Sequence, residues 1–181
     1  MKKILLLLLA LSMLMLSACS KGGETTEPTN EPEPTVVDEH EGLKLFSHDS
    51  GFNVWLPEEA EETPIDGFDV AYVTDHFFVS AIKESVDYLE ELGIAMEDFD
   101  IDDYTDAIIA SNNNKISFEK GPDGWPFARY ISTVENTKYS YHSILRASDD
   151  AFWTITFGCL TDEESTYYPL FEKWAQMIEV K

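Results

Sequence analysis

An alternating run near the end of the chain constrains the fold more than any other segment. In an extended chain, residues 152–160 place their large or apolar side chains on one side. These residues are Trp153, Ile155, Phe157 and Cys159. The opposite side carries threonines and a glycine. The pattern predicts a strand with one face buried in a core, so the rest of the domain must supply a sheet and a layer that covers it.

Similar patterns organise the rest of residues 42–181. Strand patterns cover residues 43–47, 51–56, 70–74, 77–83, 115–119, 127–134, 138–147 and 152–160. Helical patterns cover residues 85–93, roughly 103–112, and a closing segment that begins at Thr161. The element order is ββββ-αα-ββββ-α with connections of hairpin length. We therefore expect an α+β domain, mainly antiparallel β-sheet flanked by helices in an α/β/α sandwich.

Several residues mark where the helices begin and end. Ser85 is a predicted N-cap, Gly93 fits a left-handed helix stop, and Asp102 or one of its neighbours is expected to cap the second helix. In the closing helix, Thr161 and Glu164 fit a capping box, and Pro169 stands where a helical segment can restart. Its predicted apolar stripe consists of Leu170, Phe171, Trp174, Met177 and Ile178.

Four segments resemble PsbP-like domains. They are GFNVWLPEEAEE, EKGPDGWPFARY, AFWTITFGCL and YYPLFEKWAQMIEV. The PsbP-like superfamily includes the photosystem II extrinsic protein, the Ran-binding Mog proteins and many bacterial lipoproteins. The resemblance implies a sheet sandwiched by helices in a non-enzymatic accessory or binding module, and it brings no catalytic motif.

The first nineteen residues resemble a bacterial lipoprotein signal. Two lysines precede fifteen uncharged residues, 4–18, a helix of about 22 Å that falls short of the roughly 30 Å hydrocarbon layer. The run ends in Leu16-Ser17-Ala18-Cys19. The resemblance implies cleavage between Ala18 and Cys19 and acylation of Cys19, so that palmitate and related acyl chains hold the protein in the bilayer on the extracytoplasmic face.

The segment 19–41 combines the expected lipidated cysteine with an acidic, Pro- and Thr-rich stretch. It has two neighbouring valines as its bulky apolar residues, which favours a disordered tether over a core. Ser20 and the length of the tether favour a Gram-positive cell surface over a periplasm. Residues 42–181 then remain for a single domain.

The charge of the chain excludes several function classes. The sequence has 12 basic and 35 acidic residues, a net charge of −23, so nucleic acid is an unfavourable partner. Residues 42–181 hold 9 basic and 28 acidic residues, so most of this charge belongs to the domain. With Cys19 acylated, Cys159 has no partner for an internal disulfide or a cysteine-based metal site, and we interpret it as a small core residue.

The acidic run 97–106 is the candidate cation site. Asp98, Asp100, Asp102 and Asp106 are the candidate ligands, and the first three copy the start of a calcium loop. The run then departs from an EF-hand at its sixth, eighth and twelfth positions. Capping of the second helix is the preferred interpretation, with weak calcium binding as the alternative.

The sequence offers no complete catalytic motif. Ser80-Ala81-Ile82-Lys83 matches S-x-x-K by letter, but its strand pattern puts the serine and the lysine on opposite faces. His40, His48, His76 and His142 are scattered, and we interpret them as solvated. Because a Ser/His/Asp site can assemble in space, an envelope hydrolase remains an alternative function.

Aromatic residues suggest one candidate ligand groove. Trp125 lies in a Gly-Pro turn, and Tyr139 and Tyr141 share one face of a predicted strand. The preferred function is a non-catalytic, membrane-anchored module that binds a protein or an envelope component and has no cofactor.

Overall fold

The computed structural model describes residues 40–113 and 115–181, which form ten strands and three helices. The helices are α1 (Val86–Glu91), α2 (Ile101–Ser111) and α3 (Glu164–Gln176). The strands are β1 (Leu43–Ser47), β2 (Phe52–Pro57), β3 (Glu61–Glu62), β4 (Val70–Val73), β5 (Phe77–Ser85), β6 (Glu119–Lys120), β7 (Pro126–Val134), β8 (Thr137–Ala147), β9 (Ala151–Leu160) and β10 (Glu179–Val180).

The strands form two antiparallel sheets. The larger sheet has the order β3-β4-β5-β9-β8-β7-β6, and the smaller one has the order β1-β2-β10. Neighbouring pairs in both sheets are antiparallel, and β7, β8 and β9 form the expected meander. The α+β class and the antiparallel sheet are therefore confirmed.

Helices cover the large sheet on both faces. Phe157 of β9 stacks on Phe171 of α3, with ring centroids 5.1 Å apart. On the other face, Phe152 of the same strand stacks on Tyr104 of α2 at 4.9 Å. The smaller sheet shares the α3 side, where Phe52 of β2 contacts Trp153. The α/β/α arrangement is confirmed, with the β1-β2-β10 sheet as an addition to the α3 layer.

The alternating run that predicted the fold lies at the centre of the core. All four predicted inward residues of β9 are buried: Trp153, Ile155, Phe157 and Cys159. Their burial removes four large or apolar side chains from water, each stabilising the fold by roughly 1–3 kcal/mol on the usual scale of apolar burial.

The first two helices begin largely as the sequence indicates. The Ser85 side chain accepts a hydrogen bond from the Tyr88 backbone N–H, and Gly93 has φ of 85° after the helix. In α2, Asp100 is the N-cap and forms a reciprocal capping box with Asp103. The helix therefore begins at Ile101, two residues earlier than predicted.

Several predicted elements are wrong in detail. The predicted strand 115–119 is reduced to β6, because Phe118 packs into the α2 cluster instead of continuing a ladder. The predicted order also lacks β3 and β10, each of which has two residues and no periodicity to read.

The start of α3 also differs from the prediction. Thr161 and Glu164 form no capping box, since Thr161 begins a 3-10 turn and the cap of α3 has no side-chain hydrogen bond. Both side chains turn toward β8, where the Ser140 hydroxyl donates to Glu164 Oε2 at 2.5 Å and lies 3.3 Å from Thr161 Oγ1. Pro169 does not restart a helix but lies inside a continuous one.

Across residues 40–113 and 115–181, no helix has the length and hydropathy needed to cross a membrane. The predicted signal, Ala18, Cys19 and nearly all of the predicted tether lie outside the described residues.

Candidate functional site

A recess opens on the α3 side of the large sheet. It has a volume of about 180 Å³ and lies between β8, α3 and the loop that joins β6 to β7. Its floor comes from alternate residues of β8, namely His142, Ile144 and Arg146, which share the face that α3 covers. Phe127 of β7 and Ala175 of α3 add apolar walls.

A charged residue of the recess is buried in the sheet. Arg146 is 6% exposed, and its guanidinium donates to Asp123 Oδ2 at 2.8 Å and to the Ala175 carbonyl at 3.0 Å. Burial lowers the pKa of Arg146, while the Asp123 carboxylate opposes that shift. The Ala175 carbonyl lies in the last turn of α3, so the cation also meets the negative end of the helix dipole. The charge is thus compensated by an acid and by a helix terminus.

Two glycines determine the conformation of the loop that supplies Asp123. Gly124 has φ of 84°, and its N–H donates to the Gly121 carbonyl, while the Gly121 N–H donates to the Trp125 carbonyl. The backbone N–H of Trp125 donates to Asp123 Oδ1 at 3.2 Å. The loop therefore holds one carboxylate oxygen of Asp123 itself and presents the other to Arg146. Trp125 then lies with its ring 5.2 Å from the guanidinium carbon of Arg146, in cation–π contact.

A second ion pair lies at the edge of the recess. Arg129 of β7 pairs with Glu172 of α3, and both side chains are partly exposed. The guanidinium of Arg129 also lies 5.6 Å from the ring of Phe127 and 5.2 Å from that of Tyr168. The pair joins the sheet to the helix beside the cavity.

His142 is the second buried polar side chain of the floor. It is 3% exposed, so its interpretation as a solvated histidine is wrong. Its ring stacks on Phe127 at 5.6 Å, and its Nδ1 has no hydrogen-bond partner among the described residues. Burial, together with the positive charges of Arg129 and Arg146, lowers its pKa to about 4. The ring is therefore neutral at physiological pH.

The three aromatic residues of the predicted groove do not meet. Trp125 lines the recess, whereas Tyr139 and Tyr141 lie on the opposite face of the sheet. There Tyr141 stacks on Tyr130 at 5.0 Å and lies 6.3 Å from Tyr139. Burial and these two phenols raise the pKa of Tyr141 to about 12.

The four candidate cation ligands also remain apart. Asp100 caps α2, Asp102 pairs with Lys120 at 3.0 Å, and Asp98 has a left-handed φ of 66° before the cap. Asp106 lies further along the exposed side of α2. Within the described ranges, no group of three or more His, Cys, Asp or Glu residues is arranged to hold a metal ion.

Among the described residues, a grouping of a serine, a histidine and a glutamate bears on the hydrolase alternative. Ser50 Oγ lies 2.8 Å from His48 Nδ1, and His48 Nε2 lies 3.8 Å from Glu62 Oε1. The backbone N–H of Ser50 also donates to the same Nδ1 at 3.1 Å. The Glu62 distance exceeds a hydrogen bond, and Nδ1 already accepts from the backbone, so the grouping stabilises a hairpin loop rather than a nucleophile. The S-x-x-K match also lacks the arrangement that a nucleophile needs, since Ser80 and Lys83 lie on opposite faces of β5.

Three polar residues on which the proposed site depends, Asp123, His142 and Arg146, were not predicted as site residues from the sequence. Asp123 and Arg146 were not distinguished from their neighbours in a turn and in a strand, and His142 was interpreted as a solvated histidine. The sequence did contain a signal for Arg146, because this cation directly follows three apolar or small residues of a buried strand. A cation inside such a run requires a partner that compensates its charge.

No family model matches the sequence. No curated protein matches it either. Among solved structures, the cyanobacterial PsbP of Synechocystis sp. PCC 6803 is 15% identical over 86% of this chain and 100% of that chain, with a TM-score of 0.47. LpqN of Mycobacterium tuberculosis, described as involved in cell envelope biogenesis, is 12% identical over 83% and 99%, with a TM-score of 0.44.

The Ran-binding protein Mog1p of Saccharomyces cerevisiae aligns more closely in space. It is 9% identical over 76% of this chain and 95% of that chain, with a TM-score of 0.50, and a Mog1 mutant reaches 0.52. At these identities the likeness concerns the fold alone. The described part of the chain has the α+β fold of the Mog1 structures.

Proposed function

We propose that this protein is a non-catalytic binding module of the bacterial cell envelope. Acyl chains on Cys19 hold it at the extracytoplasmic face of the membrane, on a Gram-positive surface, and the tether up to residue 41 gives the domain its reach. The domain, residues 42–181, recognises a partner protein, and the recess beside Trp125 receives one side chain of that partner.

The size of the recess favours a side chain over a metabolite. A cavity of about 180 Å³ is smaller than the roughly 300–1,000 Å³ of ordinary small-molecule sites. It is large enough for one anchoring side chain of the kind that dominates protein interfaces. Its aromatic and aliphatic walls, Trp125, Phe127 and Ile144, suit an apolar or aromatic anchor.

The observation that carries the proposal is the buried guanidinium of Arg146, paired with the solvent-accessible carboxylate of Asp123 beside a cavity. Burying a guanidinium in a sheet has a large desolvation cost, and an apolar side chain of similar size often gives equal or greater stability. Here the pair positions Trp125 at the recess instead of filling it. An ion pair that holds an aromatic ring at the wall of a cavity supports a role in recognition.

The charge of the chain is compatible with this placement. A domain with 28 acidic and 9 basic residues is repelled by anionic lipid, so the tether can keep it away from the bilayer surface. Mog1p, which has the same fold, is a Ran-binding protein, so the fold is compatible with protein recognition.

Site-specific photocrosslinking in living cells tests the proposal. A photoreactive residue replaces Gln176, an exposed residue at the recess, in the full-length chain. We expect one discrete protein adduct, which disappears when Trp125→Ala is added. The matched control places the same photoreactive residue at Asp106, on the opposite side of the sheet, where no adduct is expected. Equal adducts at both positions, or an adduct indifferent to Trp125→Ala, would contradict the role of the recess.

The membrane anchor has its own arm in the same cells. Cys19→Ala should abolish incorporation of labelled palmitate and leave an uncleaved precursor, because the acyl chains have no other attachment thiol at the signal. Cys159→Ala is the matched control and should label normally. Palmitate incorporation in Cys19→Ala would exclude the proposed anchor while leaving the crosslinking result interpretable.

A further inference from the structure

The two edges of the large sheet are protected unequally. At one edge, β3 pairs through Glu61 and Glu62 with β4, and the Thr63 N–H donates to the Ala71 carbonyl at 2.9 Å. Together these contacts cover most of β4, which has four residues. Short charged strands of this kind are a common protection against unwanted strand pairing.

The other edge is largely open. β6 pairs only with Pro126 and Phe127, the first two residues of the nine in β7. Beyond Phe127, the described residues provide no further strand on that side. Ile131 lies on this open stretch with 56% of its surface exposed. The edge therefore combines unpaired backbone with an exposed β-branched side chain.

The hairpin that joins β7 to β8 shows which backbone groups face outward. Its two central residues, Glu135 and Asn136, have φ of 46° and 71°, as in a type I′ turn. In a two-residue hairpin the flanking pair, here Val134 and Thr137, exchanges hydrogen bonds. Alternate residues of β7 thus bond to β8, and the residues between them point their N–H and C=O groups to the edge.

This alternation assigns the outward groups to Arg129, Ile131 and Thr133. Phe127 has the same parity and is the residue that faces β6, in agreement with the assignment. The spacing leaves three consecutive outward positions, enough for a short added strand. Arg129 is also the residue that pairs with Glu172 beside the recess, so a strand added at this edge would pass next to the recess.

We propose that a segment of the partner binds in extended conformation as an added strand along β7, hydrogen-bonded to Arg129, Ile131 and Thr133. This inference rests on the proposed binding role and specifies how the partner is held. Backbone hydrogen bonds supply affinity in this mode, and side chains in adjacent pockets supply specificity.

The added strand could come from a second copy of this chain or from a different protein, and the charge of the domain distinguishes the two. A second copy of this chain would carry the same excess of acidic residues, 28 against 9 basic residues over residues 42–181, and the two domains would repel each other as a whole. A segment with net positive charge is attracted instead. The occupant is therefore an extended, basic segment of a different protein.

Hydrogen exchange of individual amides, measured on the mature protein in detergent, tests this inference. The probe is a peptide of alternating lysine and valine, about nine residues long and within the range of natural strands. We expect the amides of Arg129, Ile131 and Thr133 to exchange about tenfold more slowly when the peptide is saturating. The amides of Tyr130 and Ser132 face β8 and should change little.

Two variants and one peptide provide the controls. Thr133→Pro removes an outward N–H at an edge position where proline is tolerated, and it should weaken peptide binding. Thr133→Ala keeps that N–H and should bind as the wild type does. The same peptide with glutamate in place of lysine should bind at least several-fold more weakly because of the negative charge of the domain.

Three results would contradict the binding of a basic strand along β7. Unchanged exchange at all three outward amides would overturn the inference, as would equal slowing in β1, the outer strand of the smaller sheet. Slowing that depends on protein concentration without peptide, together with a doubled mass in sedimentation, would replace the basic partner with a second copy. None of these results would affect crosslinking at Gln176, so failure of this inference is distinguishable from failure of the proposed function.

Discussion

The burial of His142 makes the folding stability of the domain depend on pH. Its native pKa of about 4 lies below the ordinary histidine value of about 6.5, because the ring is buried near Arg129 and Arg146. Between these two values the unfolded chain binds a proton that the native ring does not. The contribution of His142 to the free energy of unfolding is therefore fully present above pH 6.5. It is lost as the pH falls toward 4, by up to about 3 kcal/mol.

Replacement of the histidine tests this linkage. In His142→Phe, urea unfolding at a series of pH values between 7 and 4.5 should show a shallower loss of stability than in the wild type, by up to one proton. Ser132→Ala, at an exposed residue of β7 that does not titrate, is the control and should follow the wild type. Parallel curves for His142→Phe and wild type would mean that the buried ring is protonated in the native state.

Single residues of the recess were only partly predictable from the sequence. Trp125 was recognised because a tryptophan between glycine and proline is unusual in a turn. Arg146 and His142 were missed, because alternation assigns a face to a strand residue but cannot say what crosses over that face. The partner of Arg146 comes from a loop 23 residues earlier, and local patterns hold no information about that contact.

The turn between β7 and β8 is an element under local backbone strain. Glu135 and Asn136 both occupy the left-handed region, which glycine adopts at the lowest cost. Asn136→Gly should therefore stabilise the protein by about 0.5–1 kcal/mol, measured as a shift of the urea midpoint at unchanged slope. Asn136→Ala, with the same backbone requirement and no compensation, should be destabilising. A lower stability for Asn136→Gly would contradict the type I′ assignment on which the outward positions of β7 depend.

Long periodic elements were predictable, and short or tertiary ones were not. The strands β7, β8 and β9 follow from alternation and turn residues, and Ser85 from its position before a helical pattern. The two-residue strand β10 exists only because β2 offers it a ladder. Thr161 and Glu164 have capping spacing, yet Ser140 on the neighbouring strand binds them instead. Such competition is decided by packing across the molecule.

At the scale of the whole molecule, the two faces of the large sheet differ in how completely helices cover them. The face under α1 and α2 is closed by Tyr104, whose hydroxyl donates to Glu84 at 2.6 Å and lies 3.0 Å from Thr154. Burial and the nearby Glu84 raise the pKa of Tyr104. The face under α3 keeps an open recess next to an open strand edge. Sequence order predicted the layers, but the position of this opening depends on how α3 and the β6–β7 loop meet.

Titration with a side-chain mimic tests most directly whether the recess accepts a side chain. Para-cresol, the mimic of tyrosine, is added to the ¹⁵N-labelled protein, and the indole N–H signals are followed by NMR. We predict a saturable shift at Trp125, with a dissociation constant of about 1–10 mM, and no shift at the buried Trp153 and Trp174. Absence of a saturable shift at Trp125, or equal shifts at Trp125, Trp153 and Trp174, would contradict the account.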